Sequence, residues 1–234
     1  MFDNLPSLLQ HFIFIIPATF MALFHVVNPI GSGILFLNLT PYATGKTRRM
    51  LARSIAVNSF IILIVTLLAG VYILKLFGIT IPIVQMCGGM MILTMGWRSL
   101  NQDDSVNESE KKRSITSQIP DSDYSGKVFY PYTFPFTVGP GSIAVTLTVS
   151  AESITNAPGN NLLQYAGAVV AIVLVCITIY ICYSSADYFI GKISEQVRRV
   201  IMKILSFILL CIGGQIIFNG ITAFIKALHS SGVI

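Results

Sequence analysis

Between Asp3 and Lys46 this chain carries no Asp, Glu, Lys or Arg, and five more charge-free stretches follow at 54–74, 76–97, 128–151, 153–186 and 204–225. Each is long enough for the ~20 apolar residues that cross a bilayer. A water-soluble domain spreads charge over its whole length, about a quarter of its residues. Here only 11% are charged and 54% are hydrophobic, with a mean hydropathy of +0.75. The pattern predicts an all-α membrane protein with six spans, at roughly 12–39, 54–75, 80–100, 129–150, 162–187 and 203–226. They form a single membrane domain over residues 1–234.

The basic residues set an orientation. The segments between spans 1–2, 3–4 and 5–6 hold 13 of the 15 Lys and Arg residues, and only Lys75 and Lys226 fall on the other side. By the positive-inside rule the three basic segments are cytoplasmic and both termini face outward. The formal charge of +5 is therefore a topology signal, and the basic segments are expected to meet anionic lipid heads. With only short aqueous segments, a nucleic-acid partner is not expected. The start, MFDNLPSLLQ, lacks a basic n-region and a small-residue cleavage site, so the first span is expected to be retained. Cys87, Cys176, Cys182 and Cys211 all lie within spans without CxxC spacing, which indicates neither disulfides nor a metal site.

The segment 101–127 is polar and mixed in charge, and reads as a mobile cytoplasmic linker. It divides the chain into repeat 1, about 12–100, and repeat 2, about 129–226. Span 1 contains VNPIGS and span 4 VGPGS; a shift of 111 aligns Pro29 with Pro140 and sets Asn28 opposite Gly139. Span 3 contains CGGMMILTMG and span 6 CIGGQIIFNG; a shift of 124 pairs Cys87 with Cys211, Gly89 with Gly213 and Gly96 with Gly220. Three spans per half is an odd number, so the halves run in opposite senses, as two inverted three-helix repeats.

Spans 1 and 4 are interrupted in matching places. Pro29 removes a backbone donor and clashes with the carbonyl of His25, and Gly139-Pro140-Gly141 interrupts span 4 in the same way. In hydrocarbon an unpaired backbone group costs several kcal/mol, so irregular backbone survives only against protein or a polar cavity. Either break alone is also explained by helix packing. The matched pair points to a site near the midplane between broken helices 1 and 4. The expected site is Asn28, Pro29, Gly31, Thr137, Gly139, Pro140, Gly141 and Ser142. Half-helix N–H groups there would take a carboxylate, and Asn28, hydroxyls and opened carbonyls an ammonium group.

Asn58, Gln85, Gln215 and Asn219 are candidates to line the cavity or to join helices. His25, one turn before Asn28, is the candidate for coupling, although a histidine hydrogen-bonded within the bundle explains it as well. Asp187 and Glu152 are expected at the two interfaces, and Met86, Met90, Met91 and Met95 in the core. No HExxH, GxSxG or glycine-rich phosphate loop is present, so no catalytic residue, enzyme activity or cofactor is expected.

The stretches VNPIGSG, ITIPIVQMCGGMMILTMGWRSL and PFTVGPGSIA resemble the MarC family of multi-pass inner-membrane proteins. The family pattern falls on Asn28, Pro29 and Gly31, on Ile81, Pro82, Gly88 and Gly89, and on Gly139, Pro140 and Gly141; His25 stands outside it. The resemblance implies a six-span inverted repeat akin to the superfamily of the lysine exporters, located in the cytoplasmic membrane. It also implies a secondary transporter of small neutral amino acids such as glycine and alanine, driven by a proton or Na+. The alternatives are an exporter of another small metabolite and a non-transport scaffold or sensor.

Overall fold

The computed structural model describes residues 7–40, 43–101, 124–155, 161–186, 188 and 194–230. They form seven α-helices and no strand among the described residues: α1 (Ser7–Val27), α2 (Pro29–Leu39), α3 (Gly45–Leu76), α4 (Ile81–Asn101), α5 (Pro140–Thr155), α6 (Asn161–Ser184) and α7 (Glu195–Ser230). A wider helical segment, Val128–Thr137, precedes α5. Every segment that the charge pattern marks as a span is helical.

Four units are long and apolar enough to cross a membrane on their own: Ile15–Leu37, in which α1 runs into α2, then Gly45–Leu76, Leu162–Ser184 and Arg199–His229. Val128–Thr137 with Pro140–Ala151, bent by 65°, makes a fifth if taken as one span. The remaining expected span is α4, a 21-residue helix whose apolar character is diluted by Gln85, Gly88, Gly89, Gly96 and Arg98.

Some boundaries differ from expectation. α3 begins at Gly45, well before residue 54, because Lys46, Arg48, Arg49 and Arg53 ride on its first turns, behind a Thr44 side chain that accepts the Thr47 N–H at 3.2 Å. α7 likewise starts at Glu195. Helices 32 and 36 residues long extend beyond a ~30 Å hydrocarbon core at 1.5 Å per residue, so charged turns project into the headgroups. Residues 102–123 of the expected linker lie outside the described residues, but its end is packed. Tyr124 is 1% exposed within the core, and Ser125–Lys127 form one 3₁₀ turn.

Leu23, Val27, Ile55, Leu63, Val138, Ile172, Ile179 and Tyr183 belong to one buried cluster where α1, α3, α5 and α6 meet. The outward face of α3 is as apolar as the inward one: Val57, Ile61, Val65 and Leu68 are exposed while Ile55, Leu63 and Leu67 are buried. Helices apolar all round belong in lipid. The same applies to Met90, Met91 and Met95, which are exposed on α4 and not in the core as expected. All four cysteines are free thiols, with Cys87 and Cys211 exposed.

α4 and α7 pack antiparallel through glycines. A Cβ on Gly89 would lie 2.8 Å from the Gly213 carbonyl, and one on Gly213 2.9 Å from the Gly89 carbonyl. The other contacts of Gly89 fall on Ile217, and those of Gly213 on Leu93. Gly96 meets Leu210 and Ser206, while Gly220 meets Met86 and Pro82. Adding 124 to each residue of one contact gives its counterpart, since 93 maps to 217, 86 to 210 and 82 to 206. The α4–α7 pair therefore has a local two-fold axis near Gly89 and Gly213. Only residues without a Cβ allow backbones this close, and in lipid such contact is a main source of helix association.

Candidate functional site

The first break is one residue wide. Asn28 takes φ 47° and ψ 62°, the left-handed region that asparagine tolerates better than most residues. Its N–H still donates to the Phe24 carbonyl and its carbonyl accepts the Ser32 N–H, both at 2.9 Å. Pro29 then occupies the first position of α2, where a missing N–H costs nothing. The Asn28 Oδ1 accepts the Gly31 N–H at 3.2 Å, and the Ser32 hydroxyl donates to the Val27 carbonyl at 2.9 Å. Gly31 permits this closure, because a Cβ there would sit 2.5 Å from Asn28 Nδ2. Asn28 thus caps α2 with the group expected to serve a ligand.

The second break is longer. Pro131 and Pro135 remove two donors from Val128–Thr137, and Tyr130 and Phe134 leave helical geometry. Two threonines bond backbone carbonyls five residues back: the Thr133 hydroxyl donates to the Val128 carbonyl at 2.8 Å and the Thr137 hydroxyl to the Tyr132 carbonyl at 2.7 Å. The Val138 N–H donates to the Thr133 carbonyl at 2.9 Å. Wide turns of this type are frequent at functional sites. At the start of α5, the Ser142 hydroxyl donates to the Gly139 carbonyl at 2.8 Å.

The two breaks meet on a side chain that the sequence reading passed over. The Tyr183 hydroxyl, on buried α6, lies 2.8 Å from Thr137 Oγ1, and Tyr183 borders the same small space as Ser32. Ser32 and Thr137 each direct their one proton to a backbone carbonyl. The Tyr183 proton is therefore left to Thr137, at the second break. Its ring stacks on Phe36 at 4.8 Å, and Phe36 meets Tyr132 edge-on at 6.1 Å. Ser32, Leu35, Phe36, Leu39, Tyr132, Phe136 and Tyr183 line a half-open space of about 10 Å³, room for roughly one water.

The other expected residues divide. Thr137 and Ser142 are 2% and 1% exposed, and Pro29, Gly31 and Gly141 are buried; Asn28, Gly139 and Pro140 are half-buried. Gly141 contacts the first broken span directly: its Cβ would lie 3.3 Å from Val26 Cγ1 and 2.4 Å from Ile92 Cγ1 on α4. Asn58 is half-buried on α3. Gln85 Nε2 donates to Thr148 Oγ1 at 3.3 Å, joining α4 to α5, and its buried Oε1 has no hydrogen-bond partner among the described residues. Gln215 and Asn219 bond to each other at 2.9 Å on the exposed face of α7, away from the breaks. His25 Nδ1 lies 2.6 Å from the Met21 carbonyl; a carbonyl only accepts, so Nδ1 carries the proton. Asp187 and the Glu152 side chain lie outside the described residues.

Arg48 also differs from its reading as one topology charge among many. It is 8% exposed, with Nε 3.1 Å from the Thr40 carbonyl and 3.2 Å from Thr40 Oγ1. The Tyr132 hydroxyl donates to the Leu39 carbonyl at 3.4 Å. The C-terminus of α2 is thus held by a cation and a phenol, as its dipole favours.

Comparison with known proteins agrees with this architecture. No solved structure matches the chain. The inner membrane protein MarC of Salmonella typhimurium (strain LT2) is 25% identical over 209 residues, covering 89% of this chain and 95% of that one. The same protein of Citrobacter koseri is 26% identical over 215 residues, with the same coverage, and that of Escherichia coli O157:H7 is 25% identical over 209. The profile of the MarC family of integral membrane proteins matches residues 12–225, so this chain belongs to the MarC family.

Proposed function

We propose that this protein is a secondary transporter of small neutral amino acids in the cytoplasmic membrane, with its termini outside. Its six helical segments act as two inverted three-helix repeats. The two-fold contact set between α4 and α7 supports the repeat. The observation that carries the site is that Tyr183 touches both broken spans, bonding Thr137 on one and stacking on Phe36 of the other.

In this reading the small space is the closed form of the site. Parting of the breaks frees the N–H groups at the starts of α2 and α5, and the substrate carboxylate replaces the Asn28 carboxamide at Gly31. The Thr137, Ser142 and Tyr183 hydroxyls and the Asn28 side chain then meet the ammonium group. Rocking of one triplet of helices against the other about the α4–α7 contact moves the site between the two faces. A proton or Na+ drives the cycle; His25, protonated on Nδ1, lies one turn from the first break. Gly141→Leu forces a side chain into Val26 and Ile92, and abolishes transport of glycine and alanine in protein that still reaches the membrane. Unchanged transport by that variant would overturn the site assignment.

The internal satisfaction of Ser32, Thr137 and Ser142 also favours a second reading, a scaffold whose breaks only shape the bundle. Ligand-dependent unfolding separates the two. Glycine or alanine at ~100 times its Kd stabilises a binder by ~2.7 kcal/mol. A response to a different metabolite identifies an exporter of that compound, and a flat response across a panel leaves the scaffold.

A further inference from the structure

At one end of the α3–α6 contact a cleft of about 570 Å³ opens between Gly45, Lys46, Arg49, Ser184, Ser185 and Tyr188. Its lining holds two cations and three hydroxyl side chains, with no carboxylate among the described residues. Neither Lys46 nor Arg49 has an ion-pair partner among the described residues. Arg48, on the same turn, points inward to Thr40, so Lys46 and Arg49 are the charges this turn presents outward. Below the cleft, past the exposed Arg53, both helices present apolar side chains outward: Val57 and Ile61 on α3, and Ile177 and Ile181 on α6. The cleft therefore sits where the headgroup layer meets the acyl layer.

We infer that this cleft binds the phosphate headgroup of an anionic phospholipid, with its chains along the α3 and α6 faces. A phosphate diester offers oxygens that accept from the guanidinium, the ammonium and the Ser185 hydroxyl, while Ser184 donates to the Ile181 carbonyl at 3.3 Å. Two cations held on one helix turn bind a single anion better than the same charges dispersed in loops. The exposed apolar stripes assign the anion to a lipid over a soluble phosphate, which has no use for them. Tyr188 lies at the rim, where interfacial tyrosines concentrate. The site does not depend on the transport reading.

The test is thermal unfolding of the purified chain in detergent, titrated with short-chain phosphatidylglycerol, phosphatidylcholine or inorganic phosphate. Phosphatidylglycerol stabilises the wild type and phosphatidylcholine does not. Removing both charges in Lys46→Gln/Arg49→Gln weakens the phosphatidylglycerol response about 30-fold, at roughly 1 kcal/mol per charge. Lys46→Arg/Arg49→Lys keeps both charges and retains the response, which separates loss of charge from loss of fold. An unchanged response in the neutral variant overturns the proposal. An equal response to inorganic phosphate in the wild type, lost in the neutral variant, overturns the lipid assignment in favour of a soluble phosphate ligand.

Discussion

Asn28 ends a helix while keeping its own backbone groups paired, and this explains how the first break survives in a membrane. Its N–H and carbonyl both stay in the ladder, and its side chain caps the next helix. That a break falls here was legible, because proline and paired glycines act through local geometry. Tyr183 was not, because a tyrosine in an apolar helix carries no local signal and gains its role from Phe36 and Thr137, far away in sequence. Tyr183→Phe keeps the stacking on Phe36 and removes one buried bond, so it should lower stability by only about 1 kcal/mol. The same variant frees Thr137 from α6 and should slow transport at least ~10-fold, a barrier change of about 1.4 kcal/mol. Arg48→Met leaves the fully buried Thr40 carbonyl without its guanidinium and should cost about 2 kcal/mol in thermal unfolding. A surface topology charge would cost almost nothing.

Helix identity was readable from charge spacing; helix ends were not. Nothing in the apolar count says that Lys46 to Arg53 are helical, since a charged turn is stable in the headgroup layer whether or not it continues a span. The α4–α7 pairing was readable only as a glycine pattern, and the contacts give it meaning. Gly213→Leu would drive a side chain into the Leu93 backbone, where even a Cβ lies at 2.5 Å. It should cost about 3 kcal/mol and lower the yield of folded protein. Gly214, whose added Cβ would meet nothing within 4 Å, provides the control, and Gly214→Leu should unfold like the wild type.

At the scale of the whole molecule, α4 and α7 pair about a local two-fold axis, and both broken spans pack against α6. Protease-accessible tags at either end should be cut from outside intact cells if both termini face outward, and protection of both would reverse the topology. The most direct test of the central claim is uptake of labelled glycine and alanine into proteoliposomes under imposed proton or Na+ gradients. Wild-type protein should run beside Asn28→Ala and Gly141→Leu. The account predicts gradient-driven uptake by the wild type, reduced at least ~10-fold in both variants while each remains folded. Folded wild-type protein that takes up neither amino acid under either gradient, or variants that transport as well as the wild type, would contradict it.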